Sequence, residues 1–302
     1  MVKGKGPELR KFKEDFLNEK HLIDFHQYIK SEDCFSNDIP GGICYFLWSQ
    51  EYEGPCNFTL HNADGSELIT QRYLNEGKLD IIIGDPIQSS IINKVLDFMS
   101  NHDIDPVSQY VSPRCPFNLE GNLLKNEEKH SLLPSFSENK FDNSYRIFGT
   151  DSGGRRISRY ISNSYVINKG QVYIDKYKIF VGKATVGGQT LGESDEILVL
   201  SQPILAEIND VCTDSYEVIG PFETKDETIN FFKYMKTRLF RFLLACRLGS
   251  QNITRQSYSF IPFLSDNNES DNQLYSLFGF NDIEIGYIQK KIGDVSWTYE
   301  DY

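Results

Sequence analysis

The chain has 302 residues, 39% of them hydrophobic and 25% charged, which is enough for one large domain or two of ordinary size. Disorder as the main state is excluded, no stretch approaches the ~18 to 20 apolar residues of a membrane span, and the basic, polar run 1–13 has no apolar segment behind it, so the cytosol is the expected compartment. The formal net charge of −12, taken alone, argues against a polyanionic partner.

Along the first hundred residues, helix and strand signals alternate. Leu9, Phe12, Phe16 and Leu17 share one helical face. Leu22 to Tyr28 and Ile43 to Trp48 are short apolar runs that fit buried strands. Gly54-Pro55 breaks the chain ahead of Cys56 to His61, so 43–61 reads as a hairpin, and Asp64-Gly65 signals a second turn before Glu67 to Leu74. Leu79 to Ile83 is a further strand candidate. Gly84-Asp85-Pro86-Ile87 behind it superficially resembles the catalytic Asn/Asp-Pro-Pro-Tyr loop of adenine methyltransferases. Ile87 stands where the second proline belongs and Gln88 where the stacking aromatic belongs. Asp85 as N-cap and Pro86 at the first helical position, followed by Ile87, Ile91, Ile92, Val95, Leu96 and Met99 on one face, give a sufficient structural account.

From 101 to 143 the text is loop-like and punctuated by proline, and a domain boundary is expected near residues 97–110. Strands are then expected at Ser144 to Phe148, Ser164 to Asn168, Tyr177 to Val181, Ile197 to Leu200, Tyr216 to Gly220 and Tyr258 to Phe263. One long helix interrupts them, opened by Thr224 and Glu227 as a capping box and carrying an apolar stripe from Ile229 to Cys246. Asn281 and Glu284 cap a final helix through Ile292. The fold class is therefore α/β in its first part and α+β overall.

The chemistry-bearing residue types are sparse. The five histidines lack metal-ligand spacing, the six cysteines show no C-x-x-C pairing and read as reduced thiols, and Gly182, Gly187, Gly188 and Gly192 are followed by a strand rather than by the helix a phosphate-cradling loop needs. Charge, however, is unevenly spread. Thr228 to Ser265 contains no acidic residue but six basic ones, Lys233, Lys236, Arg238, Arg241, Arg247 and Arg255. Gly153 to Lys183 carries Arg155, Arg156, Arg159, Lys169, Lys176, Lys178 and Lys183 against Asp175 alone. Two basic segments on an acidic chain fit a nucleic-acid-binding face; a solvated basic helix beside acidic loops is the competing reading. Beyond the long helix, Arg247, Ser250, Gln251, Asn252 and Arg255 offer the guanidinium and amide groups that match base edges. Arg155, Arg156, Arg159 and Lys183 are assigned to phosphates, Arg247, Gln251, Asn252 and Arg255 to bases, and Lys236, Arg238 and Arg241 to either role or to helix solubility.

Several runs carry a family resemblance: Gly4-Lys5-Gly6 with Leu9 to Leu17, Asp33-Cys34-Phe35, Gly41 to Trp48, Lys183-Ala184, Gly220-Pro221-Phe222, Lys236 to Leu243, Ser250 to Thr254, Tyr258 to Pro262, and Leu274-Tyr275 with Ile283 to Ile292. Over about two thirds of its length, residues 62–140 excepted, the chain resembles the C-terminal part of adenine-specific DNA methyltransferases of type II restriction-modification systems, including those fused to a nuclease. That resemblance implies trailing strands of a methyltransferase-like sheet in 1–100 and a mixed α+β target-recognition domain in 101–302. It implies double-stranded DNA as partner, with a separate catalytic methyltransferase or nuclease subunit as a further one. S-adenosylmethionine would serve the complete enzyme only, because the family's glycine-rich methyl-donor loop and its Asn-Pro-Pro-Tyr loop have no counterpart in this sequence. The alternatives are a self-contained methyltransferase or nuclease, and a docking subunit that does not bind DNA.

Overall fold

The computed structural model describes residues 7–36, 42–75, 79–125, 136–165, 170–188, 191, 194–248, 251–264 and 270–299. Among these described residues the chain is a mixed α+β protein with three sheets. Helix α1 (Pro7–Leu17) precedes a four-stranded sheet of order β2-β1-β3-β4, made of β1 (Leu22–Tyr28), β2 (Ile43–Trp48), β3 (Cys56–His61) and β4 (Glu67–Arg72). Gly65, at φ +82, supplies the turn between β3 and β4. The expected 43–61 hairpin does not form: β1 lies between β2 and β3, antiparallel to the first and parallel to the second. That order makes β2 an edge strand, so its apolar run is not buried as expected; Tyr45, Phe46, Leu47 and Trp48 are each about half exposed.

Residues 79–84 cross beneath this sheet without pairing as a strand, held by Arg72, whose Nη1 donates to Ile83 O (2.7 Å). They lead into α2 (Pro86–Asn101). Its start is as the local signals require, with Asp85 accepting from the amides of Ile87 (2.7 Å) and Gln88 (3.3 Å). Ile91, Ile92, Val95 and Met99 of α2 share a core with the C-terminal helices, whereas the first sheet closes a separate cluster around Phe25, Phe58 and Leu60.

β5 (Ser144–Thr150) and β6 (Arg156–Ser162) form a hairpin, and β9 (Asp210–Cys212) lies parallel to β5 on its other side. Where a strand was expected at 164–168, residues 163–165 form a 3-10 turn, and 166–168 lie outside the described residues. After the short α3 (Gln171–Ile174), β7 (Tyr177–Gly182) is the centre of a sheet with β10 (Tyr216–Phe222) and β8 (Ile204–Ala206). Strand alternation gives this sheet two covered faces: Ile179, Val181 and Ile219 meet the helices, while Phe180, Val218 and Ile204 meet the cluster that includes Ile147 and Val211 of β5 and β9.

The expected long helix is two helices, α4 (Lys225–Lys236) and α5 (Arg238–Arg247), broken at Thr237. Thr237 has an extended backbone and its Oγ1 accepts from Phe240 N–H (3.2 Å), so it ends one helix and caps the next. The Asp271 carboxylate, at the start of α6 (Asp271–Leu277), accepts from the amides of Arg238 and Leu239, both at 3.0 Å, and places an anion at the new N-terminus. Thr224 caps α4 as expected, but Glu227 reaches the amide of Glu223 instead of the cap residue's own.

Ile197 to Leu200 is not a strand. Glu196 and Val199 are left-handed, and Glu196 and Ile197 donate to Lys290 O and Lys291 O, which closes the end of α7 (Asp282–Lys291). Tyr258 to Phe263 is likewise no strand: Tyr258 ends a 3-10 turn over Arg255–Tyr258 and Pro262 bridges to Pro106, with Val107 N–H donating to Ile261 O and Phe263 N–H to Asp105 O. Asn281 and Glu284 form the capping box expected of α7. Among the described residues no helix is long and apolar enough to cross a membrane.

Candidate nucleic-acid interface

Segments far apart in sequence meet at one rim. Past the end of β7, Lys183 donates its backbone N–H to Ser215 O (3.2 Å). Residues 183–185 then run antiparallel to 251–253: Thr185 N–H donates to Gln251 O and Ile253 N–H to Lys183 O, both at 2.8 Å, with Ala184 bridged to Asn252. Ser215 Oγ lies 3.5 Å from Thr150 Oγ1 at the end of β5, where the turn to β6 begins. Within that turn Arg155 pairs with Asp151 (2.9 Å), and Arg156, the first residue of β6, donates to Ser201 Oγ and Gln202 O. Arg155, Arg156, Lys183, Gln251 and Asn252 thus share a rim, and all but the half-buried Lys183 are exposed. Arg255 continues the same segment on a 3-10 turn, exposed, with its Nε donating to Ser108 O (2.7 Å). Arg159 stands apart, deeper along β6 and 3.8 Å from Glu138. Ser250 and Lys169 lie outside the described residues.

Arg241 and Arg247 of the helical region serve the interior instead, which corrects their assignment to DNA, whereas Lys233 is exposed. Arg241 is 1% exposed, and its guanidinium donates to Gly293 O (2.7 Å), Leu198 O (3.4 Å), Lys236 O and Thr237 O (3.3 Å each). Burial pushes it down to about 10. It is a buried strut for three chain segments and is not available to a duplex. Arg247, assigned to base edges, keeps a side chain only 5% exposed, paired with Asp80 and lying over the Phe260 ring. Arg238 bonds to Ile292 O (3.0 Å) and Asp294 (2.7 Å), and Lys236 to Trp297 O (3.0 Å). Lys236 closes α4, and Arg238 opens α5, about 14 Å along that helix from Arg247. A charge count cannot tell these tasks apart from surface ones.

One residue of the rim carries no sequence signal. Arg114, in the proline-punctuated loop, donates through Nε and Nη2 to Asp214 Oδ2 (2.8 and 2.7 Å), and Lys183 pairs with the same carboxylate and lies 3.8 Å from Glu217. Burial acts to raise Asp214, but Arg114 and Lys183 outweigh it and hold the carboxyl below its ordinary range; burial raises Glu217.

Elsewhere the chemistry is structural. Asp85 caps α2 and accepts from Tyr287 OH (2.7 Å). His26 and His61 meet ring to ring on β1 and β3 (Nδ1 to Nε2, 3.0 Å), with Glu67 3.0 Å from His61, a pairing across strands that spacing alone does not reveal. No group of three or more His, Cys, Asp and Glu is arranged for a metal ion among the described residues, and all six cysteines carry free thiols. Val186–Gly188 forms a 3-10 turn, and among the described residues the next helix after it is α4.

No family model and no curated protein matches the chain. Among solved structures it is similar to the type IIG restriction endonuclease BpuSI, with 13% identity and a TM-score of 0.33 over 92% of this chain and 40% of that one. The chain thus spans well under half of that enzyme's length.

Proposed function

We propose that this chain reads duplex DNA as the C-terminal portion or a subunit of an adenine-N6 DNA methyltransferase or restriction-modification protein. The observation that carries the reading is the rim itself: backbone hydrogen bonds join Lys183 to Thr185 with Gln251 to Ile253, and Ser215, which accepts from Lys183 N–H, brings the turn that carries Arg155 beside them. The resemblance of residues 41–48 and 236–262 to that enzyme family supports it. Recognition needs anchors on phosphate, which set register, and readers of base edges, which set sequence. Arg155 and Arg156 take the first role, and Gln251, Asn252 and Arg255 the second; Lys183, expected on a phosphate, pairs instead with Asp214. The half-exposed aromatic and aliphatic side chains of edge strand β2 are the surface at which a catalytic partner's sheet would continue.

The test is a binding titration of the chain and its Arg255→Ala variant against randomised duplexes at two salt concentrations. The wild-type chain should enrich a sequence and bind more weakly as salt rises, and the variant should lose about 1 to 3 kcal/mol on the enriched sequence alone. Binding with neither enrichment nor salt dependence refutes DNA recognition and leaves the docking-subunit reading.

A further inference from the structure

We infer that Arg114 reads a guanine in the DNA target and that Asp214 is the positioning residue that aims it. The inference rests on the DNA-reading role proposed above and assigns a base reader outside the segments that supported it.

Three observations converge on Arg114. First, its loop is tied down on both sides. Ser112 N–H donates to Val218 O and Asp214 N–H to Leu119 O, both at 2.8 Å, and Phe117 is fully buried. The left-handed backbone of Cys115 (φ 53) turns the chain sharply between the exposed arginine and that buried anchor. Second, Asp214 takes one edge of the guanidinium, Nε and Nη2, leaving the side chain 84% exposed. The remaining edge, Nη1 with the second hydrogen of Nη2, presents two parallel N–H groups to solvent. This is the fork that fits the O6 and N7 acceptors of guanine in the major groove, and a fork already fixed by a carboxylate loses little freedom on docking. Third, the local charge favours a base over a phosphate. Arg114 and Lys183 face Asp214 and Glu217, so two cations stand against two carboxyl groups. A patch without net positive charge gains little from a phosphodiester. Guanine's acceptor edge is neutral and asks only for direction. Through Lys183 the fork is joined to Asn252 and Gln251, the amide readers on the neighbouring segment.

The experiment is selection from a randomised duplex pool, followed by titration at two salt concentrations, with the wild-type chain and the variants Arg114→Ala, Arg114→Lys and Asp214→Asn, each first verified as folded by circular dichroism and thermal melting. The wild-type consensus should contain a guanine that Arg114→Ala no longer enriches, with affinity for the consensus falling about 5- to 150-fold and affinity for duplexes lacking that guanine unchanged. Lysine should not rescue it, because a point charge lacks the fork. Asp214→Asn should blur the same position without affecting others. If Arg114→Ala weakens all duplexes alike and flattens the salt slope by about one, the residue is a phosphate anchor and the inference is wrong; if it changes nothing, Arg114 does not meet DNA. A wild-type chain that enriches no sequence overturns the DNA reading itself, and this assignment with it, whereas enrichment indifferent to Arg114 overturns this assignment alone.

Discussion

Replacing Arg241 should damage the fold and spare DNA binding, and the size of the effect follows from its surroundings. Of its four carbonyl contacts only the bond to Gly293 O, at 2.7 Å, is short; those to Leu198, Lys236 and Thr237 are 3.3 to 3.4 Å and weak. A charge-assisted bond contributes about 1.5 to 3 kcal/mol, and the carbonyl it leaves unpaired costs about 1 to 3 more. Against this, burial lowers the guanidinium from its ordinary value to about 10, so the native state bears about 3 kcal/mol for keeping the cation there, and removing the charge returns it. Arg241→Ala adds a cavity beside the Trp297 ring, which lies 5.8 Å from the guanidinium. Its net destabilisation should be about 2 to 4 kcal/mol. Arg241→Met keeps most of the volume and sheds the charge, so it should cost only about 0 to 2 kcal/mol, in line with apolar replacement of buried ionic groups. Urea unfolding with an unchanged slope, together with DNA titration of the folded protein, measures both quantities. An alanine variant of wild-type stability that binds DNA weakly, or a methionine variant less stable than the alanine one, would refute the reasoning.

Two further predictions concern a junction and pH. Thr237→Ala removes an acceptor for Phe240 N–H and the hydroxyl's own bond to Tyr234 O (2.8 Å), so it should cost about 1 to 2 kcal/mol in the same unfolding assay, with Thr237→Ser recovering most of the loss. Burial, reinforced by the charges of Glu217 and Asp85, raises Tyr258 and Tyr287 well above their ordinary values. Their stabilisation is therefore fully present below pH 10 and should fall by up to about 1.4 kcal/mol per tyrosine per pH unit above it. Burial raises Tyr275 in the same way, while Lys178, lowered by burial to about 8, and Arg241, lowered to about 10, gain stability as pH rises, Lys178 from about pH 8 up to its ordinary value and Arg241 from about pH 10 upward. Melting temperatures should decline between about pH 10.5 and 11.5, where Lys178 no longer contributes, and a flat or rising profile over that interval contradicts this.

Elements whose boundaries rest on local chemistry were legible before any tertiary contact was known. Asp85 with Pro86 starts α2, Asn281 with Glu284 starts α7, and Asp64-Gly65 turns β3 into β4, because a cap or a tight turn is satisfied by residues three or four positions away. Pairing and burial are not local. The run 43–61 carries a hairpin's signals, yet β1 intervenes between its strands. Leu79 to Ile83 and Ile197 to Leu200 are as apolar as strands and, Asp80 and Leu198 apart, buried, but 79–83 threads unpaired beneath a sheet and 197–200 closes a helix end. The apolar stripe from Ile229 to Cys246 hid the break at Thr237 because the two helices keep one covered face, while the carboxylate that secures the break comes from residue 271. The same division runs through the rim. Composition located the basic segments, but it could not separate Arg241 and Arg247, whose charge goes to buried carbonyls and to Asp80, from Arg155 and Arg255, which face solvent. Arg114 gave no periodic or compositional signal at all, and only the approach of Asp214, a hundred residues further on, gives its guanidinium a direction.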